Sequence, residues 1–345
     1  MLAVGGVRVI NGLMTPGSLV AMFRYLGMLI WPLMGAGFMV NMIQRGAVSL
    51  GRINEIMKTE PSIKDNFKDK PEDDLPKLLF SESLTPAVEI TDLEFSYNDK
   101  KVLDGINLKI ERGQWLGIMG KTGSGKSTLA KTFMRMIDPP QGCVKIFGLD
   151  VRDWPLESLR SLFAVSPQDS YLFSDTIANN IMYGKGEDTE VIREEESVLN
   201  NAINLASLNK DMENFQYGKD TLVGERGLTL SGGQKQRTAI ARAAIMNAEF
   251  LVLDDSLSAV DNETEQKILL NLLNERKNAA SGKNCTTIII SHRVSSLKYA
   301  DNVLVLDKGK ILEYGSPAEL VSAGGYYSRM AAFQRLECGT EIKNG

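Results

Sequence analysis

The sequence predicts a mostly parallel α/β domain preceded by a membrane-spanning helical segment. Three observations carry this reading. Residues 25–43 contain no charged side chain. Residues 58–86 change character and are dominated by Lys, Asp, Glu and Pro. From residue 87 onward, short β-branched runs alternate with helical patterns, the signature of parallel strands joined by crossover helices. The 345 residues suffice for one large or two ordinary domains, and an apolar share of 43% can build a sizeable core. A net charge of −4 gives no reason to expect nucleic acid as a partner. Cys143, Cys285 and Cys338 lie far apart without CxxC spacing, which argues against a metal site or disulfide framework and for a reducing compartment.

Taken in chain order, residues 1–57 hold four arginines (Arg8, Arg24, Arg45, Arg52) and one acid, Glu55, among many Leu, Met, Val and Gly. Leu2–Met14 reads as the tail of one transmembrane helix, and Thr15-Pro16-Gly17-Ser18 as a turn. The uncharged stretch Tyr25–Ile43 would then be one full helix, about 28 Å long at ~1.5 Å per residue and close to the ~30 Å hydrocarbon core. Pro32 is tolerated there, as prolines are in membrane helices. Arg45 and Arg52 place the following end in the cytoplasm. Arg24 reads as snorkelling to the interface rather than facing a cavity. A signal peptide fits poorly, because no basic n-region precedes the apolar run; a buried core helix is the plainer alternative. The expected division is 1–57 as the C-terminal end of a transmembrane region, 58–86 as a linker, 87–338 as the α/β domain and 339–345 as a tail.

Chemistry enters at residue 115. Trp115–Met119 reads as a buried strand, and Leu129–Ile137 as a helix. Between them lies Gly120-Lys121-Thr122-Gly123-Ser124-Gly125-Lys126-Ser127-Thr128, the GxxxxGK[ST] pattern in its strand–loop–helix setting. Glycines let backbone N–H groups turn inward around phosphate oxygens, and the helix N-terminus adds positive potential. Lys126 can reach β and γ phosphates, and the Ser127 hydroxyl can ligate Mg²⁺. A second strand, Phe250–Leu253, ends in Asp254-Asp255. A carboxylate there supplies the further ligand that a nucleotide-bound Mg²⁺ requires, a weak pattern alone and a strong one beside the phosphate loop. Together these residues read as a P-loop NTPase binding ATP and Mg²⁺.

The subclass comes from Leu230-Ser231-Gly232-Gly233-Gln234-Lys235-Gln236-Arg237, directly followed by a helix-forming run, Gln236–Met246. A serine and two glycines at a helix start make a second anion-binding end. Since one phosphate loop already serves this chain, a second clamp makes sense if it reaches the nucleotide of another subunit. Residues 230–237 resemble the signature of the ABC transporter nucleotide-binding domain. The resemblance runs unbroken over 87–337 with the motifs in family order. It implies a RecA-like core, an antiparallel β subdomain and a helical signature subdomain. It also implies roles: Tyr97 stacks on adenine; Gln168 is the Q-loop residue that contacts Mg²⁺ and takes part in catalysis; Ser231, Gly232, Gly233 and Gln234 clasp the opposing nucleotide. Asp261 closes a D-loop, Ser258–Asp261, at the dimer seam, and His292 is the switch histidine. Gly224–Gly227 resembles the exporter-type X-loop. The N-terminal segment resembles the last transmembrane helices of a type I exporter half. Such halves normally have six, so this chain is expected to be a C-terminal fragment or a truncated reading frame.

One position departs from the family pattern. The catalytic base is a Glu directly after the Mg²⁺-binding Asp, and here that place is held by Asp255, one methylene shorter. A displacement near 1 Å can cost on the order of 10²-fold in rate. The segment Asp254–Asp261 resembles the noncatalytic-site half of bacterial heterodimeric multidrug exporters. The expected protein is therefore an ATP-hydrolysing exporter half in the cell membrane, its nucleotide-binding domain cytoplasmic. It would pair with a second half, more as a heterodimer than a homodimer, and move a small hydrophobic or drug-like substrate. The alternative is a regulatory half with little hydrolysis at Asp255. A DNA-repair or chromosome ATPase would need a basic face and a long coiled-coil insertion. An importer ATPase would be a separate soluble chain.

Overall fold

The computed structural model describes residues 2–65, 85–185, 192–278 and 285–341. The interior of the expected linker, residues 66–84, and residues 342–345 of the expected tail fall outside them. The chain divides into two compact units, Met1–Lys64 and Asp65–Gly345.

The first unit is helical. Helix α1, Leu2–Ile10, is followed by a turn and by α2, Pro16–Lys58, which is 43 residues long. Thr15 caps α2, its Oγ1 accepting from the Ser18 N–H at 3.2 Å, and Pro16 occupies the first turn, where its missing N–H costs nothing. The helix runs on through Pro32 and well past the apolar stretch, taking in Arg45, Arg52 and Glu55. It continues through Gly46 and Gly51 and ends at Thr59-Glu60-Pro61, where a proline just beyond the cap marks the stop. None of its side chains is buried, and its most apolar 18-residue window has a mean hydropathy of 1.6. Among the described residues it is the one helix long and apolar enough to cross a membrane.

The second unit is built on two sheets. Strands β1 (Val88–Tyr97), β2 (Lys100–Ile110), β4 (Val144–Ile146) and β5 (Leu149–Asp150) form an antiparallel sheet in the order β2-β1-β4-β5. Strands β3 (Trp115–Gly120), β6 (Phe163–Ser166), β7 (Phe250–Asp254), β8 (Thr286–Ile290), β9 (Asn302–Asp307) and β10 (Lys310–Gly315) form the second, ordered β10-β9-β3-β8-β7-β6. It is parallel except for β10, which returns antiparallel on β9.

The central strands are apolar on both faces, as strands covered on both sides must be. Period-two alternation then splits their side chains between two cores. Leu116, Ile118, Val252, Ile288, Ile290, Leu304 and Leu306 join the antiparallel sheet and helix α3 (Lys126–Phe133). Met119, Leu251, Leu253, Ile289, Val303 and Val305 face the helices on the other side. Those helices include α5 (Ile177–Met182), α6 (Ile192–Leu205), α8 (Gly232–Ala244) and α9 (Asn262–Asn278). The short α4 (Leu156–Ser161), α7 (Asn209–Asn214), α10 (Val294–Leu297) and α11 (Pro317–Ser322) fill the connections, and α12 (Tyr326–Glu341) closes the described chain.

Two helix boundaries differ from expectation. Helix α3 starts at Lys126, three residues earlier than expected, and ends at Phe133; Arg135, left-handed at φ 47°, breaks the run. Helix α8 starts at Gly232 rather than Gln236, because a side-chain cap at Ser231 offsets the poor helix propensity of two glycines.

Candidate nucleotide site

The C-terminal ends of β3, β7 and β8 deliver their following loops to one place, the usual location of a ligand in an open α/β sheet. There an open cleft of about 1130 Å³ is lined by Thr122, Gly123, Gly125, Lys126, Ser127 and Thr128 from the loop after β3 and by Asp254 and Asp255 from the end of β7. Gln168, His292 and Tyr97 also line it. Gly120, Lys121 and Ser124, from the same loop, are not among its lining residues. Ser231–Gln234 and Asp261 lie outside the cleft.

Gly125 caps α3 at φ 106°, a conformation that a side chain would oppose, and an added Cβ would stand 2.9 Å from the Val102 carbonyl oxygen. With no capping side chain, the first N–H groups of α3 face the cleft unclaimed. Lys126 is buried, its Nζ donating to the carbonyl oxygens of Gly120 at 2.8 Å and Lys121 at 2.9 Å. Burial pulls its ammonium pKa down, against the raising influence of Asp255 and Asp254. The buried Ser124 hydroxyl has no protein partner.

Ser127 Oγ donates to Asp254 Oδ1 at 3.2 Å. Two hard oxygens this close on the cleft wall suit a small divalent cation, so these residues fit Mg²⁺. Asp255 adopts φ 49°, a left-handed conformation that aspartate tolerates better than most residues. Its N–H donates to the Ile290 carbonyl at 2.9 Å, tying the end of β7 to β8, and its carbonyl accepts from Ser258 Oγ at 2.8 Å. Burial raises the Asp255 pKa, with Asp254 adding to the shift and His292, Lys126 and Arg293 opposing it. Burial lowers the His292 pKa, helped by Lys126 and opposed by Asp255 and Asp254. Both groups line the cleft, and shifted groups in a cleft mark a candidate functional position.

Tyr97 stands at the rim, 44% exposed, its ring edge-on to Phe95 at 5.0 Å between centroids. One aromatic face is thus left for a base to stack upon. Ser231 is held differently. Its hydroxyl accepts from the Gln234 N–H at 3.2 Å while Gln234 Oε1 accepts from the Ser231 N–H at 2.9 Å, a complete capping box. A Cβ on Gly233 would stand 2.9 Å from the Ala259 carbonyl oxygen, so glycine permits the close approach of the 258–261 loop. Asp261 caps α9 through the Thr264 N–H at 2.9 Å, and that bond holds its pKa down.

Sequence reasoning missed several residues that tie these loops together. Gln236 donates to Ser258 Oγ at 3.0 Å and accepts from the Ala259 N–H at 2.8 Å. Arg293 donates to the Ser258 and Val260 carbonyls, both at 2.9 Å, and pairs at 2.8 Å with Glu265, which is fully buried. The Glu265 carboxylate also accepts from Ser295 and Ser296. Lys308 lines the cleft from the β9–β10 turn. None of these contacts leaves a local signal in the sequence.

Residues 103–258 match the profile of the ABC transporter family. Residues 103–258 thus form an ABC transporter domain. It is 39% identical over 337 residues to the probable multidrug resistance ABC transporter ATP-binding/permease protein YheI of Bacillus subtilis (strain 168), covering 97% of this chain and 54% of that protein. It is 37% identical over 345 residues to the multidrug resistance-like ATP-binding protein MdlA of Escherichia coli (strain K12), covering 99% and 55%. It is 39% identical over 337 residues to the ATP-dependent lipid A-core flippase of Desulfotalea psychrophila, covering 96% and 54%. A solved bacterial Atm1-family ABC exporter with ATP bound matches with a TM-score of 0.76 and 34% identity, over 96% of this chain and 55% of that one. The chain spans about half the length of these family members. Its second unit is the ATP-binding domain of the family, and α2 is the membrane-spanning helix that precedes it.

Proposed function

We propose that the chain is the ATP-binding and ATP-hydrolysing part of an exporter half, and that it works opposite a second half. The observation that carries this reading is the division of its motifs. One cleft holds the phosphate loop, Asp254, Asp255, Gln168 and His292, while Ser231–Gln234 and Asp261 lie outside it. A signature away from its own cleft is of use to the nucleotide of a facing domain.

In this reading ATP enters with its adenine on Tyr97 and its phosphates on the N–H groups at the start of α3, and Lys126 exchanges its carbonyl partners for phosphate oxygens. Ser127 and Asp254, with Gln168, would hold Mg²⁺, which when bound neutralises phosphate charge. Asp255 orients the attacking water and His292 contacts the γ-phosphate. Binding closes the two domains; phosphate loss removes those contacts and reopens them. Relatives named for multidrug resistance and for lipid A support a hydrophobic or amphipathic substrate moved across the membrane that α2 spans. The partner is proposed to be a different half. A short base beside an intact signature suits a division of labour in which the partner carries the stronger base.

The test is steady-state ATP turnover by the two-half transporter with this chain wild type or Asp255→Glu. A rise of roughly tenfold or more at this chain's site supports a weakened base. An unchanged or lower rate means that Asp255 already serves, and favours a symmetric pair.

A further inference from the structure

The cleft is supported from behind by α12, which no motif points to. Gln334 on this helix uses both ends of its side-chain amide on the loop that carries His292. Its Nε2 donates to the His292 carbonyl oxygen at 2.9 Å, and its Oε1 accepts from the Val294 N–H at 2.8 Å. The second bond matters because α10 starts at Val294 without a side-chain cap of its own, its N-cap Arg293 providing none. Gln334 supplies that cap from another helix. On the other side of the same loop, Arg293 is fastened to the Ser258 and Val260 carbonyls and to Glu265. The backbone on both sides of Arg293 is thereby gripped, and the His292 ring is left facing the cleft.

For such a grip to set a position, α12 must itself be fixed. Tyr327 and Ala331, which share a face with Gln334 at helical spacing, are buried. The Glu313 carboxylate accepts the Tyr326 N–H and, at 3.1 Å, the Tyr327 N–H, capping the helix from β10. Ser328 Oγ donates to the Val321 carbonyl at 2.8 Å. An amide is the side chain that satisfies both contacts, because one needs a donor and the other an acceptor. A glutamate could serve Val294 but would set a carboxylate against the His292 carbonyl.

We infer that Gln334 is a positioning residue for His292, acting through the main chain of residues 292–294. The role in turnover rests on the ATPase reading above; the effect on His292 does not. The protein contains a single histidine. Ring-labelled histidine in the tag-free full chain in detergent, observed at its Cε1–H, therefore gives one NMR signal that reports His292 alone.

The experiment compares wild type, Gln334→Leu, Gln334→Glu and Arg335→Ala, the last altering an exposed neighbour on the same helix. The histidine signal should shift and broaden in Gln334→Leu, move less in Gln334→Glu, and stay in place in Arg335→Ala. In the two-half transporter, kcat should fall by no more than about threefold in Gln334→Leu, as for Asp255→Asn in the same cleft, while KM for ATP stays within about twofold, the mark of a group that acts on the reacting geometry rather than on binding. A histidine signal unmoved in both Gln334 variants, with only the melting temperature lowered, overturns the inference and leaves Gln334 as an anchor for α12. Should Gln334→Leu not fold, Gln334→Glu decides by the same signal. Absence of turnover in wild type would overturn the ATPase reading and still leave the ring signal to decide this one.

Discussion

Two helices in this chain follow small cap residues and offer N-termini suited to anions, and they are prepared in opposite ways. Helix α3 starts after Gly125, whose left-handed backbone carries no capping side chain. Helix α8 starts after Ser231, which is locked in a capping box with Gln234. At α3 the donors stand free and the nearby ammonium rests on loop carbonyls, so an anion meets little competition. At α8 an anion reaching the Ser231 hydroxyl competes with a bond the chain already makes to itself. The first end carries no side-chain cap, and the second satisfies its cap within the chain.

The largest expected effect breaks the first end. Lys126→Ala should weaken ATP binding by at least about 100-fold in a calorimetric titration, since it removes the cation proposed to face the β and γ phosphates. Unchanged affinity would remove the phosphate-loop assignment.

Next in size is a test of whom α8 serves. In the two-half transporter, Ser231→Arg should lower ATP turnover on the order of 100-fold by filling the space at the start of α8. Asp255→Asn should lower it by less than about threefold. If both variants stop turnover equally, Asp255 is a working base and the second half has no stronger one.

A smaller effect isolates the cap itself. Ser231→Ala should cost about 1 kcal/mol and lower the melting temperature by roughly 2–4 °C. Ser127→Ala, in the first turn of uncapped α3, should leave stability within about 0.5 kcal/mol and instead reduce the gain in nucleotide affinity produced by Mg²⁺. Equal melting losses in the two variants would erase the contrast.

The smallest effect concerns pH. The Asp255 pKa is raised in the folded protein, chiefly by burial. Protonation therefore favours the fold. Its contribution is fully present below the unfolded value of about 3.9 and is lost as pH rises through the raised folded value. Asp255→Asn should accordingly melt slightly higher than wild type at neutral pH, with the gap closing as the pH falls towards 4. A wild type that melts higher at pH 7 would mean that the carboxylate is stabilised by its neighbours, not strained by burial.

What the sequence disclosed follows from how far apart the interacting residues lie. The phosphate loop was legible because strand, loop and helix are contiguous, and the β7 end because an apolar strand runs straight into two aspartates. The starts of α3 and α8 were misjudged because Ser127, Thr128, Gly232 and Gly233 are poor helix formers in isolation, whereas Gly125 and Ser231 are caps whose effect depends on backbone geometry. Gln236 on Ala259, Arg293 on Val260 and Gln334 on His292 join residues that are 23, 33 and 42 positions apart. Such contacts have no periodicity, and only the fold brings them together. Composition showed that α2 is apolar but not that it continues to Lys58, since its polar end satisfies helix propensity just as well.

That continuation has a mechanical meaning. At ~1.5 Å per residue, α2 is roughly 64 Å long, about twice the thickness of a hydrocarbon core. Its Tyr25–Ile43 stretch and its charged end at Lys58 belong to a single rod. The one backbone hydrogen bond forfeited within it is at Pro32, inside the apolar stretch. A load applied at Lys58 therefore meets no break in the backbone hydrogen bonds before Pro32, and a tilt of about 10° about the midpoint would swing each end by roughly 6 Å.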